Sequence, residues 1–352
     1  MDAEGRVEFE VDEDVFYNPR MTLNRDVTVA VLRAREFGST YLDANCASGV
    51  RGLRVAVEAG LDVTLNDRSS TAVDVARRNV EANEVDVSVR REDANVEMHR
   101  HGYDVVDVDP FGSPMPFADA AFRSARNLAC FTATDTAPLC GAHTSGVRRY
   151  GSVPLNTEYH AEMGLRVLVG ALVRTAARQD VAATPVLSHS TDHYKRVYLS
   201  LERGAGVADE SLEGLGYVAH CFDCLRREHV DGLVYDGPWN CCCGSNYDVA
   251  GPLWTAGVRD REFVEEALAE VSDYMTEAAR ARKTLERLHG ELDLPTHYDQ
   301  HVLCKRAGVP AASIEDVLGS LEARGYRASR THYSGHSFKS DAPMDVLLDV
   351  VG

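Results

Sequence analysis

The chain has 352 residues, with 55 acidic and 37 basic side chains and a formal net charge of −18. This length suits two or three ordinary domains, and a hydrophobic content of 44% is enough for a substantial core. The first thirty residues are charged throughout, which excludes a recognisable signal peptide, and no apolar run is long enough to cross a bilayer. We therefore expect a cytoplasmic protein with no membrane partner and no obligate protein partner.

The acidic excess bears on the partner that the chain can bind. Taken alone, it argues against nucleic acid, because the phosphate backbone attracts cations. Acid excess with only four lysines, however, is typical of proteins from a salt-rich cytoplasm, where screening shortens electrostatic reach. The charge is also uneven: it is −10 over residues 1–110 and −1 over residues 295–352. A polyanion is therefore expected to meet the C-terminal end.

Strand and helix patterns alternate along the first half of the chain. Residues 5–11 have the period of a half-buried strand, and residues 24–26 cap a helix that runs to about residue 36. Further strands are predicted at 40–46, 61–67, 87–91, 103–109, 129–135, 185–190 and 197–201, and helices at 52–60, 71–82, 117–127 and 158–178. The last two strands are expected to form an antiparallel end of the sheet. This alternation predicts a doubly wound, Rossmann-like α/β domain over residues 1–207.

Three of the predicted strands end in carboxylates. Asp67 ends the second strand of the series, where doubly wound sheets bind ribose hydroxyls. Asp93 follows the third and can face an adenine amine, and Asp109 ends the fourth. A loop of small residues at 47–49 follows the first strand and allows a ligand close to the backbone. This order is typical of a class I S-adenosylmethionine-dependent methyltransferase.

The fourth strand tip carries the residues that we expect to act on the substrate. Asp109 can accept hydrogen bonds from an exocyclic amine, Pro110 holds the turn, and Phe111 can stack on a base taken out of its helix. The alternative is a strand followed by an ordinary Asp-Pro turn. His193, in a later turn, is expected to be a structural hydrogen-bonding residue.

Five of the nine cysteines lie between residues 221 and 243. Cys221 and Cys224 form one pair, and after sixteen intervening residues Cys241, Cys242 and Cys243 are consecutive. Two such pairs suit tetrahedral zinc in a small ribbon. The second pair is irregular, so Cys241 with Cys243 is one choice and Cys242 in place of Cys241 is another. The alternative is a reduced, metal-free thiol cluster.

The C-terminal part, residues 208–352, is predicted to be a smaller α+β domain that includes the cysteine cluster. Helices are expected at 262–288, 298–307 and 313–324, followed by a strand at 326–333. Helix, turn, helix and strand resemble a winged-helix element, which could contact tRNA or brace the other domain. A loop suited to phosphate and base contacts is expected to contain five side chains: His332, Tyr333, Ser337, Phe338 and Lys339.

These features together resemble one family along essentially the whole chain. The chain resembles the tRNA guanosine-26 N2-dimethyltransferases, in particular an archaeal and halophilic member. The most specific segments are residues 16–19 (FYNP), 24–26 (NRD), 107–114 (DVDPFGSP), 134–138 (TDTAP) and 192–194 (DHY).

The resemblance implies a role for each candidate residue. The residues that would bind S-adenosylmethionine are Arg25, Arg51, Asp67, Asp93 and Ala94. Asp109 would be the catalytic carboxylate, and the flipped guanine would lie against Phe16, Pro110 and Phe111. The cysteines that would hold zinc are Cys221, Cys224, Cys241 and Cys243.

The residues leave two other functions open. The chain could methylate another amine, such as a guanine in ribosomal RNA or an adenine in DNA. It could also be a non-catalytic RNA-binding protein that keeps a relict methyltransferase core.

Overall fold

The computed structural model describes residues 2–352. Nine strands lie in the part of the chain before residue 204: β1 (Asp2–Glu4), β2 (Val7–Phe9), β3 (Thr40–Asp43), β4 (Asp62–Asn66), β5 (Ser88–Arg90), β6 (Tyr103–Val108), β7 (Ala125–Ala133), β8 (Val181–Thr191) and β9 (Tyr194–Arg203). The helices that connect or follow them are α1 (Thr22–Ala34), α2 (Val50–Arg54, continued by a π-helical turn, Val55–Ala59), α3 (Ser70–Ala82), α4 (Ala94–Arg100), α5 (Met115–Ser124), α6 (Thr136–Leu139), α7 (Ser145–Tyr150), α8 (His160–Ala177) and α9 (Ala205–Ser211).

Seven of these strands form one sheet in the order β5-β4-β3-β6-β7-β9-β8. The strands from β5 to β7 are parallel, whereas β9 is antiparallel to both of its neighbours. The doubly wound α/β prediction and the antiparallel end are therefore confirmed. The chain reverses its direction of winding between β3 and β6, and ligands of open α/β sheets bind at such a switch point, beyond the carboxyl ends of the strands.

Two helix predictions were wrong in their boundaries. Residues 24–26 do not cap α1 but lie inside it, because the turn before it is capped by Asn18, whose side chain accepts from the Arg20 backbone. The helix predicted at 262–288 is two helices, α10 (Arg261–Ala269) and α11 (Ala278–Gly290). Both bury an apolar face against the same core as α1, so the apolar period continues across the break and conceals it.

The remaining elements of the C-terminal part form two small sheets with three helices. The strands are β10 (Leu215–His220), β11 (Arg227–Asp231), β12 (Asp248–Trp254), β13 (Tyr298–Asp299), β14 (Ala328–Arg330) and β15 (Ser337–Ser340), and the helices are α12 (Gln300–Ala307), α13 (Ile314–Ala323) and α14 (Met344–Val351). The sheets have the orders β11-β10-β12 and β13-β15-β14. The winged-helix assignment and the domain boundary after residue 207 stay predictions.

The loop expected to contact phosphate is not exposed. Ser337, Phe338 and Lys339 form the buried strand β15, and the side chain of His332 is 1% exposed. The Lys339 ammonium lies 3.0 Å from Glu162 of α8 and 2.8 Å from Glu291. This lysine therefore neutralises two buried carboxylates and is unavailable to a nucleic acid. Within residues 2–352, no helix combines the length and apolarity that a membrane crossing requires.

Candidate active site

The loop after β3 brings the backbone close to the carboxyl edge of the sheet. Ala47 and Gly49 both have positive φ, 47° and 80°. A Cβ atom on Gly49 would lie 3.0 Å from Leu65 Cδ1, so both conformation and packing require glycine here. The Ala47 backbone N–H donates to Asp67 Oδ2 at 3.1 Å. This bond joins the loop to the tip of β4, as the cofactor prediction requires.

The acidic residues predicted to bind the cofactor lie at neighbouring strand tips. Asp67 also accepts from the Ser69 backbone at 2.9 Å, and each of its oxygens keeps a lone pair. Asp93 caps α4 through one oxygen, which accepts from the Asn95 backbone at 2.9 Å. Ala94 is the buried first residue of that helix. The edge therefore presents carboxylate acceptors suited to the hydroxyl and amino groups of a nucleoside.

Two phenylalanine rings meet at the turn that follows Asp109. Phe16 lies in the segment before α1 and Phe111 in the turn after β6, and the structure brings their ring centroids to 4.4 Å, nearly perpendicular. Both side chains are exposed, Phe16 by 49% and Phe111 by 75%, with Pro110 half-buried between Asp109 and Phe111. Large exposed aromatic rings are costly to leave in water, so this pair is a natural platform for a flat, unstacked base.

The turn that carries Phe111 is fastened to the tip of the next strand. Gly112 donates its N–H to Thr134 Oγ1 at 2.8 Å, and Thr134 returns its own N–H to the Gly112 carbonyl at 2.9 Å. The next residue, Asp135, accepts from the Tyr150 hydroxyl at 2.5 Å. The segment at 134–138, which the sequence analysis identified as specific, therefore holds the turn after β6 in place.

The two arginines predicted to bind the cofactor have different surroundings. Arg51 of α2 is buried and its Nη2 donates to Asp109 Oδ2. Arg25 of α1 forms a fork with Glu4, with distances of 2.6 and 2.5 Å. Burial raises the pKa of Glu4, but hydrogen bonds and charge from Arg25 and Arg54 outweigh it and bring the pKa to about 2. Arg51 therefore lies at the site, whereas Arg25 is engaged with Glu4 of β1.

Comparison with known proteins identifies the family of this chain. The family model described as TRM, N2,N2-dimethylguanosine tRNA methyltransferase, matches residues 1–352. The chain belongs to this family.

Family members and a solved structure agree with the match. The tRNA (guanine(26)-N(2))-dimethyltransferase of Haloarcula marismortui is 52% identical over 97% of this chain and 96% of its own length. The protein of the same name from Halobacterium salinarum is 51% identical, over 94% and 91%. A solved structure of Trm1 from Pyrococcus horikoshii with S-adenosyl-L-methionine superposes with a TM-score of 0.93, 34% identity and 99% coverage of both chains.

The cysteines assigned to zinc come together in this member of the dimethylguanosine family. The sulfur atoms of Cys221, Cys224, Cys241 and Cys243 all lie within 4.8 Å of one another. Cys221 is 3.5 Å from Cys243, and Cys224 is 3.4 Å from Cys241, close to the roughly 3.8 Å expected between thiolates at a tetrahedral zinc. Cys242 is exposed and lies outside the group, so the geometry favours Cys241 over Cys242.

The pKa values of the four thiols shift in opposite directions. Burial raises the pKa of Cys241, but hydrogen bonds from the Cys243 backbone, the Tyr247 hydroxyl and the Cys224 thiol outweigh it and bring the pKa to about 6. Thiolates are the form that binds zinc. Burial instead raises the pKa of Cys221 and of Cys224, so the fit to zinc rests on the number and spacing of the four residues. The other cysteines, Cys46, Cys130, Cys140 and Cys304, are buried, as expected of core residues.

Sequence reasoning assigned no role to three charged residues behind Asp109. Asp43, at the end of β3, is buried; burial raises its pKa to about 7, and the charge of Arg51 opposes that rise. Asp107 and Arg196 form a buried ion pair, with oxygen and nitrogen 2.5 Å apart. Asp107 could have been found, because residues i and i+2 of a strand face the same side and Asp109 was already assigned. For Arg196 the sequence offered one indication, which is a charged residue within an apolar strand.

Proposed function

We propose that this chain transfers methyl groups from S-adenosylmethionine to the exocyclic N2 of guanine 26 in tRNA, giving N2-methylguanosine and N2,N2-dimethylguanosine. The observation that carries the proposal is the pair of exposed rings, Phe16 and Phe111, at the turn that follows Asp109, in a chain of the dimethylguanosine family. Trm1 from Pyrococcus horikoshii, which superposes over 99% of the chain, is described with the same methyl donor. We further propose that the protein acts in the cytoplasm.

The roles of the cofactor residues follow from the polar groups at the carboxyl ends of the parallel strands. When bound, S-adenosylmethionine supplies an electrophilic methyl group. Asp67 would accept from its ribose hydroxyls, and the Asp93 carboxylate with the Ala94 backbone would hold its adenine. The positive charges of Arg51 and Arg25 would attract its carboxylate, while their hydrogen bonds to Asp109 and Glu4 are kept. The positive φ of Gly49 lets the backbone of the loop after β3 approach it closely.

Asp109 has two tasks in the proposed reaction. The amine of guanine is a poor nucleophile, because its lone pair is delocalised into the ring. Asp109 would accept a hydrogen bond from the amine and take up the proton that it loses, directly or through water. The rings of Phe16 and Phe111 would keep the flipped base in line for transfer, and such positioning supplies much of the acceleration.

The surface that meets tRNA needs cations that no carboxylate neutralises. Most arginines of this acidic chain form ion pairs, and Arg20 and Arg148 are two of several exposed arginines that form none within residues 2–352. Arg20 follows the segment of Phe16, and Arg148 lies in α7, which Asp135 joins to the tip of β7. These two residues would contact phosphates on either side of the target guanine.

The cysteine cluster and the domain division complete the proposal. Zinc held by Cys221, Cys224, Cys241 and Cys243 would stabilise the C-terminal domain, residues 208–352, while residues 1–207 carry the reaction. Metal analysis of protein purified without a metal-affinity tag should find one zinc per chain. Zinc that remains after Cys221 and Cys224 are both changed to Ser would refute the site.

Radioactive methyl transfer tests the function. The protein is incubated with labelled S-adenosylmethionine and an unmodified tRNA transcript in concentrated potassium chloride, and the nucleosides are separated. We expect label in N2-methylguanosine and N2,N2-dimethylguanosine. Label in a methyladenosine, or transfer only to ribosomal RNA, would indicate another amine methyltransferase, and no label with retained tRNA binding would indicate a non-catalytic RNA-binding protein.

A further inference from the structure

A row of buried polar side chains crosses the seven-stranded sheet near the end of β6, which Asp109 directly follows. We call it the polar belt, and it consists of Asn24, Thr28, Tyr41, Arg51, Asp107, Thr132 and Arg196. Its members come from four strands and two helices that are far apart in the sequence. The belt ends at Asp109, the proposed catalytic carboxylate, through the hydrogen bond from Arg51.

The centre of the belt is the ion pair of Arg196 and Asp107. The guanidinium of Arg196 binds both oxygens of Asp107, with distances of 2.8 and 2.5 Å, and neither side chain is exposed. Their strands are not neighbours, so Arg196 reaches across β7 and donates to Thr132 on the way, at 3.0 Å. Tyr41, on the far side, donates to Asp107 at 2.8 Å. The carboxylate is therefore fixed from both sides.

The belt also fixes Arg51. Its Nη1 donates to Asn24 Oδ1 at 2.9 Å and to Thr28 Oγ1 at 3.0 Å, and lies 3.8 Å from Asp107 Oδ2. Thr28 is held in turn by Arg196, which donates to its hydroxyl at 3.1 Å. One nitrogen of the fork is thus anchored in the belt, and the other, Nη2, donates to Asp109.

Stability alone does not account for this arrangement. Removing two charges from water costs several kcal/mol for each ion, and an apolar pair of similar volume is often as stable or more so. The charges alternate in sign from Arg196 through Asp107 and Arg51 to Asp109, and Asp109 is the most exposed of the four, at 20%. The chain of charges therefore leads from the core to the reacting carboxylate.

We propose that Asp107 and Arg196 are positioning residues of the methyl transfer: they fix Arg51, and Arg51 holds the Asp109 carboxylate in the orientation that accepts the amine hydrogen bond. The inference rests on the proposed function, and it assigns a role to the strand that follows the segment at 192–194. A misplacement of about 1 Å at a reacting group costs about 100-fold in rate, so the effect should be large.

The test separates positioning from structure. Asp107→Leu combined with Arg196→Met removes both charges at similar volume. Arg196→Lys keeps the charge but loses the two-pronged geometry. The matched control is Glu158→Leu with Arg227→Met, which removes another largely buried ion pair, remote from Asp109. Each protein is assayed for melting temperature, for affinity to S-adenosylhomocysteine and tRNA, and for single-turnover transfer rate with both substrates saturating.

We expect the double variant at the belt to fold and to transfer methyl groups about 100-fold more slowly at saturation. Arg196→Lys should lie between it and the wild type, and the control should keep the wild-type rate. A wild-type rate in the double variant, or an equal loss in the control, would overturn the inference. If the double variant does not fold, a wild-type rate in Arg196→Lys is enough to overturn the inference. Absence of transfer by the wild type would instead refute the proposed function.

Discussion

Two buried ionic clusters in this molecule have similar chemistry and different surroundings. The polar belt passes from Arg196 and Asp107 to Asp109, which water reaches. The second cluster, which we call the sealed cluster, joins α8 to the C-terminal part through Glu162, Arg166, Glu291, His332 and Lys339. No side chain of the sealed cluster is more than 1% exposed.

Buried charge has two different roles in this chain. Burial raises the pKa of Glu162, but the charges of Lys339 and Arg166 outweigh it and hold the pKa well below its usual value, so the carboxylate stays ionised. In the sealed cluster every charge faces another protein charge, which fixes the two parts of the chain together. In the belt the last charge, on Asp109, is accessible to a substrate. The belt should therefore govern rate, and the sealed cluster should govern stability.

The largest effect is expected at the exposed end of the belt. Asp109→Ala should lower transfer by roughly 100- to 10,000-fold, because it removes the acceptor of the amine hydrogen bond and of the proton. Affinity for S-adenosylhomocysteine should stay within a few-fold, since Asp67 and Asp93 remain. Turnover and calorimetry on the same preparation check this, with Asp104→Ala, near the start of the strand that leads to Asp109, as a control. Near-normal turnover would refute the role of Asp109.

The sealed cluster should respond in the opposite way. Lys339→Met leaves Glu162 and Glu291 buried with one cation fewer, and we expect a loss of about 3–5 kcal/mol in the free energy of unfolding. Transfer by the molecules that remain folded should be little changed. Lys305→Met, at an exposed lysine of α12, is the control and should unfold like the wild type. Equal stability of the two variants in denaturant titrations would contradict the distinction between the clusters.

Smaller effects are expected at the cofactor carboxylates. Asp67→Ala and Asp93→Ala each remove an acceptor for the bound nucleoside, a loss of roughly 1–3 kcal/mol in binding. Calorimetry with S-adenosylhomocysteine measures it, and the transfer rate at saturating cofactor should recover. Unchanged affinity in both variants would mean that the order of the strand tips has been misassigned.

The smallest effect is expected at the surface. Arg148→Gln should raise the Kd for tRNA about two- to fivefold, because an exposed charge contact contributes at most about 1 kcal/mol. Arg123→Gln is the matched control, since Arg123 is also exposed, forms no ion pair within residues 2–352 and lies at the opposite edge of the sheet. Filter-binding titrations compare the two variants. The same Kd for both would remove α7 from the proposed tRNA surface.

Local patterns were sufficient for one part of the site. Asp109 and Phe111 follow a buried strand directly, and Asp67 and Asp93 end strands of their own, so their place at one edge follows from parallel pairing. The fold class follows from the same alternation. Phe16 depended on the family resemblance, because its contact with Phe111 joins segments 95 residues apart.

Long-range pairing was not visible in the sequence. The partner of Asp107 is Arg196, 89 residues later, and its identity depends on the order of β6, β7 and β9 in the sheet. Lys339 was misassigned for the same reason: a polar segment is read as exposed unless its buried partners, here Glu162 and Glu291, are known. Charge pairs across a core therefore need the structure.

Position-resolved mass spectrometry can establish whether the protein transfers methyl groups to guanine 26. Two transcripts of one tRNA, which differ only in guanine or adenine at position 26, are incubated with the protein and S-adenosylmethionine and then cut into defined fragments. We expect a mass increase of one or two methyl groups on the fragment that contains guanine 26, and no increase with the adenine transcript. Methylation of another fragment, or of both transcripts alike, would contradict this expectation.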